Sequence, residues 1–211
     1  WTLLLDVGRV LVNAVESLFH VHADPELPDP LRSSPHPVIS WALWYVLVDE
    51  IASPDVLEGA LNLDARVAAK LRGRFLERHR RETLLLVHHG LATFAFEKSL
   101  YSNPGQDLTS LWWDLLKGSI GLDSRDDGDH AAWAISTEVL GSPGAGVERA
   151  LGALVAAQFK NALPPAAPGS SVLQDRAAST ALKDLILRHA GGRSWGDHVR
   201  QVTGSSLDAN A

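Results

Sequence analysis

The chain has 211 residues, of which 45% are hydrophobic and 21% charged, enough for one medium domain with a real core and unlike a disordered or collagen-like polymer. A net charge of −6 argues against a surface built to grip nucleic acid or anionic lipid. With no Cys there is no disulfide framework, thiolate metal site or cysteine nucleophile.

Apolar periodicity predicts a first helix over Thr2 to about Phe19. Asp6, Arg9 and Asn13 interrupt it, so it matches neither a membrane span of about 20 apolar residues nor a signal peptide. The expected setting is therefore cytoplasmic, with no membrane contact. The chain contains no Met and starts at Trp1, which reads as a piece of a longer product or a processed chain.

The proline-rich stretch from His22 to Pro30 cannot be helical throughout. Val38 to Ile51 reads as a buried helix, and Ser53-Pro54 as the start of another. Leu63 to Leu100 is strongly helical in pattern, as one helix or two. Asn103-Pro-Gly marks a turn, and Asp107 or Thr109 caps a helix carrying Leu111, Trp112, Leu115 and Leu116. Asp123 to Asp129 is an acidic loop, and His130 to Val139 is predicted helical. After the break at Gly141 to Gly146, Val147 to Ala162 reads as a small-residue helix. Pro164 to Gly169 is a connector. Thr180 to His189 and Ser194 to Val202 are the last helices, split by Gly191-Gly192. No stretch shows sustained period-2 alternation and no repeat is present. The expected fold is all-α, a helical bundle forming a single domain over residues 1–211.

Three segments carry a resemblance. Phe94-Ala-Phe-Glu-Lys-Ser-Leu-Tyr-Ser-Asn-Pro-Gly-Gln-Asp-Leu runs on to Leu111-Trp-Trp-Asp-Leu. Ala150-Leu-Gly-Ala-Leu-Val-Ala-Ala-Gln-Phe follows downstream, and Asp24-Pro-Glu-Leu-Pro stands upstream. In order and spacing the set resembles the carboxy-terminal lobe of zinc metallopeptidases of the oligopeptidase and angiotensin-converting-enzyme kind.

The resemblance implies a helix bearing H-E-x-x-H, in which two His bind Zn²⁺ and the Glu activates the metal-bound water. Here the matching segment is Leu5-Asp6-Val7-Gly8-Arg9. Leu5 and Arg9 stand at the two His positions and Asp6 at the general base. Leu has no donor atom, and Arg cannot deprotonate to ligate a metal. Where a third, carboxylate ligand is implied, the chain has Trp41. Asp49 and Glu50 are the nearest acids. The Tyr and His that such enzymes carry before the downstream helix are replaced by Pro143 to Arg149. The resemblance therefore implies a pseudo-peptidase with no catalytic residue and no cofactor.

Other clusters compete with that reading. His20, His22 and Asp24, with Glu26 nearby, are the best alternative metal ligands, since His at i and i+2 can chelate from a strand or loop. They would support a hydrolase with a rearranged zinc site. The plainer view is that they are solvated loop histidines. His88 and His89 are adjacent on a helix and point about 100° apart, so they do not share one metal. Arg9, if buried, must be paired, with Asp6, Asp49, Glu50 and Glu97 as candidate partners. It would then replace the metal as the helix-bridging charge, or bind an anionic small molecule in a remodelled cleft. The Arg72 to Arg81 run reads as a solvated face with Glu77 and Glu82 as i,i+4 partners. Trp41, Trp44, Trp112, Trp113 and Trp133 read as core.

The related enzymes have a further helical lobe before the zinc helix. Without it the first helix is expected to be partly uncovered, which marks a partner site. The expected partner is a protein supplying that missing amino-terminal lobe in a hetero-oligomer, or a second copy in a homo-oligomer. A bound peptide is compatible with the same reading; nucleic acid is not.

Overall fold

A computed structural model describes residues 14–15, 17–23, 25–26, 28, 36–50, 52–123, 131–167, 170–188 and 193–208. Among them every regular element is helical, as the absence of period-2 alternation predicts. No helix among the described residues is long and apolar enough to cross a membrane.

Residues 17–22 are helical. Helix α1 (Pro37–Glu50) comes after them. Pro37 suits the first turn because its missing N–H would have had no helical partner, and the His36 ring nitrogen Nδ1 accepts from the Val38 amide at 3.3 Å. The helix is rich in β-branched and aromatic residues, each disfavoured by at most about 0.7 kcal/mol relative to Ala. Burial outweighs that. Val38, Ile39, Ala42, Leu43, Tyr45, Val46, Leu47 and Val48 are all inside, and a buried Val, Leu or Ile contributes about 1.5–3 kcal/mol.

The Ser53 hydroxyl accepts from Val56 N at 3.4 Å, as its capping role predicts. The segment it opens is short and π-helical, Asp55–Ala60, closed by the Leu61 amide on the Val56 carbonyl at 2.9 Å. Asp64 then caps helix α2 (Ala65–Ser102), its carboxylate accepting from Arg66 N at 2.9 Å. This is one unbroken helix of 38 residues, about 57 Å long at 1.5 Å per residue. Asp107 caps α3 (Leu108–Ile120), accepting from Ser110 N at 3.0 Å.

The expected helix from His130 to Val139 does not form as one element. The described part is a 3₁₀ turn, Ala132–Ile135, then a single turn, α4 (Thr137–Leu140). Ser136 between them is extended, with φ −70° and ψ 118°, and its hydroxyl accepts from Val139 N at 3.4 Å. A serine that caps the following turn cannot also continue the preceding one. Helix α5 (Ala145–Ala162) comes next. Asp175 caps α6 (Arg176–Ala181), which widens into a π-helical segment, Leu182–Leu187. Ser194 caps α7 (Trp195–Thr203).

These elements group into two compact units, residues 1–79 with 152–211 and residues 80–151. The first unit has a core that includes Phe19, Ile39, Leu43, Val46, Val155, Phe159, Ile186 and Val199. Two carboxylates fix its connector: Asp55 accepts from Ser171 N at 2.9 Å and Glu50 from Val172 N at 2.7 Å. The second unit is built around Ala92, Phe96, Trp112, Leu116 and Val139. Phe96 and Trp112 meet edge to face with centroids 5.0 Å apart, a favoured aromatic geometry. The other tryptophans expected in the core, Trp41, Trp44, Trp113 and Trp133, are half-buried.

Candidate functional site

Of the residues at the degenerate zinc motif, Leu5, Asp6 and Arg9 lie outside the described residues, as does Asp24 of the alternative cluster. Of the first helix, expected to be partly uncovered, residues 14–15 and 17–19 are described, and Val15 and Phe19 among them are buried. Trp41 is described. It sits on α1, edge to face with Trp44 at 5.8 Å. A side chain on Gly152 of α5 would collide with the Trp41 Cβ and crowd the α1 backbone. The bare glycine is therefore what lets α5 lie against α1. An indole offers a donor N–H and no metal-binding lone pair, so this position does not fit a zinc ligand.

The two acids nearest in sequence are engaged structurally. Asp49 pairs with Lys160 and lies 3.6 Å from the His79 ring nitrogen. Glu50 holds the Val172 amide, and burial raises its carboxyl above the ordinary range.

His20 and His22 both stand on helical backbone, His20 exposed and His22 half-buried. Two positions apart on a helix, their side chains point about 200° apart. The chelate that needs a strand or loop at this place finds a helix instead. Among the described residues no group of three or more His, Asp or Glu side chains is arranged to hold a metal ion.

The strongest polar cluster lies in the second unit. His89, on α2, places Nδ1 3.3 Å from Glu138 Oε2 of α4. Arg149, on α5, places a guanidinium nitrogen 2.7 Å from Glu138 Oε1. The His89 contact, then the Arg149 charge, hold the Glu138 carboxyl down at about 2 against the burial that opposes them. His88, the neighbour of His89, is exposed, as the 100° step between adjacent helical residues requires.

Two turns further along α2, Glu97 is only 5% exposed. Its Oε2 accepts from the Gly144 amide at 3.0 Å, while Oε1 is buried with no hydrogen-bond partner. Burial is the main reason its carboxyl is raised, and the nearby charge of Glu138 adds to it. This arrangement fastens the turn around Gly144 and the single-turn α4 to α2. The approach is close: a Cβ on Gly146 would come within 3.1 Å of the Gly90 Cα.

Sequence reasoning singles out His89 and Glu97 separately and misses the cluster. The readable signal is the polar row His89, Thr93, Glu97 at i, i+4 and i+8 within an apolar helix.

The opposite face of the same helical stretch is unusual in another way. Leu84 is 63% exposed, Leu91 50%, Phe94 46% and Tyr101 65%, and half-buried Val87 lies between them. These residues repeat at alternating steps of three and four, apart from Lys98 at one apolar position. They form one stripe turned away from Ala92, Thr93 and Phe96, which are buried. Scattered apolar residues on a surface are ordinary, whereas a contiguous row is less so.

In comparisons with known proteins, no family model, no curated protein and no solved structure matches this chain.

Proposed function

We propose that this chain is a non-catalytic, metallopeptidase-like helical protein that acts by binding a protein or peptide partner. The single observation that carries the binding role is the exposed apolar row on α2, Leu84, Leu91, Phe94 and Tyr101. A helix loses free energy of about 25 cal/mol for each Å² of apolar surface left in water, so such a row favours an occupant. The non-catalytic part rests on residue chemistry. Leu5, Arg9 and Trp41 replace the ligands that the sequence resemblance implies, and none of the three can bind zinc.

The test pairs chemistry with retention. After dialysis against Zn²⁺, the purified chain is incubated with a mixture of peptides, and metal content and peptide masses are read by mass spectrometry. The proposal expects no stoichiometric zinc and intact peptides. It also expects a subset retained on the immobilised chain and released by Leu91→Asp. One zinc per chain with cleaved peptides would overturn it, and so would failure to retain any peptide.

A further inference from the structure

Glu97 makes a long-range bond at a place where a charge is poorly tolerated. Its Oε2 accepts from the Gly144 amide, 47 positions further along the chain. Gly144 closes the turn that runs from Gly141 into α5. Bonds within the turn are local: Gly141 N donates to the Thr137 carbonyl at 2.9 Å, and Ala145 N to the Ser142 carbonyl at 3.0 Å. The Glu97 carboxyl is a tie from this turn to α2.

The tie has few means of carrying a negative charge. Glu97 is 5% exposed, and its other oxygen, Oε1, is buried with no hydrogen-bond partner. A buried carboxylate stays ionised where two or three donors or a cation reach it, whereas Oε2 has one neutral amide. Thr93, one turn earlier on α2, gives its hydroxyl proton to the His89 carbonyl at 2.9 Å. His89 of α2 and Arg149 of α5 are engaged with Glu138, and Glu138 of α4 brings a like charge towards Glu97. Helix α3 packs into this core through Trp112 and Leu116, with its Asp114 and Lys117 exposed. An ionised acceptor makes an amide bond roughly twice as strong, but one such bond does not offset the burial of an unpaired charge. A neutral acid leaves a hydroxyl unsatisfied, which costs far less. Burial first, and Glu138 after it, accordingly raise the Glu97 carboxyl.

We infer that Glu97 is a proton-operated latch: protonated, it holds the Gly141–Gly144 turn and the start of α5 on α2, and on ionisation it lets the turn lift so that the carboxylate reaches water. The device is a local opening within the second unit, distinct from global unfolding. It is independent of the proposed binding role. The sign follows from linkage. With the turn open, the carboxyl titrates near its ordinary 4.5; with the turn closed, it titrates higher. Opening therefore becomes about ten-fold more favourable for each pH unit between those two values and is level outside them.

The experiment uses the full chain and nuclear magnetic resonance. The Glu97 carboxyl carbon shift reports ionisation, and hydrogen exchange at the Gly144 amide reports opening. Glu97→Gln keeps an acceptor for that amide and cannot ionise, so the exchange rate of wild type divided by that of Glu97→Gln at each pH removes the intrinsic pH dependence of exchange. The ratio is expected to climb about ten-fold per pH unit from 4.5 and to level off where the carboxyl titrates. The Ser110 amide, held by Asp107 at an exposed cap, should keep a ratio near one. A Gly144 ratio that stays flat, or falls, while Glu97 ionises would overturn the latch. In the wild type alone, a Glu97 carboxyl that titrates at or below 4.5 would overturn it as well.

Discussion

Helix α1 and the Arg80–Ser102 half of α2 are both rich in apolar side chains, and they put them to opposite uses. Eight of the 14 residues of α1 are buried, on every side of the helix. The α2 stretch buries Ala92, Thr93, Phe96 and Glu97 on one face and leaves Leu84, Leu91, Phe94 and Tyr101 exposed on the other. Apolar content alone thus does not say what a helix is for. In α1 it holds the first unit together, and in α2 half of it is left exposed.

Paired truncations break or sharpen this contrast. Leu43→Ala in α1 removes a fully buried side chain and should lower stability by about 2–5 kcal/mol. Leu91→Ala on the row should change it by no more than about 0.5 kcal/mol while weakening partner binding. Urea denaturation of the two variants measures both. Comparable losses would mean that the row is part of the folding core.

Buried Glu97 and half-buried Glu138 of the second unit give a smaller effect with opposite signs. Glu138 has its folded value depressed from 4.5 to about 2. The stability it contributes is present above pH 4.5 and lost as pH falls from there towards 2. Glu138→Gln should therefore lower stability at neutral pH by up to roughly 3 kcal/mol and flatten that acid slope. Glu97 has its folded value raised above 4.5, so its contribution is present below that pH and lost as pH rises through the folded value. Glu97→Gln keeps an acceptor for the Gly144 amide and should raise stability at neutral pH. Denaturation midpoints followed across pH separate the two. If both variants raised the midpoint, the assigned roles of His89 and Arg149 around Glu138 would fail; if both lowered it, the burial penalty assigned to Glu97 would fail.

Part of the architecture is legible in the sequence. The dense apolar run read as a helix over Val38 to Ile51 lies where the structure has α1, Pro37–Glu50. Of the two capping candidates Asp107 and Thr109, Asp107 is the cap, and the helix expected to begin at Ser194 has Ser194 as its cap. The continuity of α2 is open on sequence grounds, because Gly73 and Gly90 both weaken a helix on propensity. Gly90 is explained only by the close approach of Gly146, a contact between distant parts of the chain. The helix expected over His130 to Val139 fails at Ser136, whose capping capacity competes with helix continuation. The row on α2 is present as spacing, but Ala92 and Phe96 form a second apolar row beside it. Periodicity cannot tell which of two rows faces inward. The Glu138 cluster needs three helices to come together and leaves only the His89, Thr93, Glu97 row as a trace.

The central claim is that the exposed face of α2 is the binding surface. Methyl-labelled nuclear magnetic resonance during titration with a peptide retained on the wild-type chain tests it most directly. The account predicts that the methyl signals of Leu84, Val87 and Leu91 shift and saturate together, while those of Leu57 and Val155 stay in place. Shifts confined to methyl groups off this face, or none at saturating peptide, would contradict it.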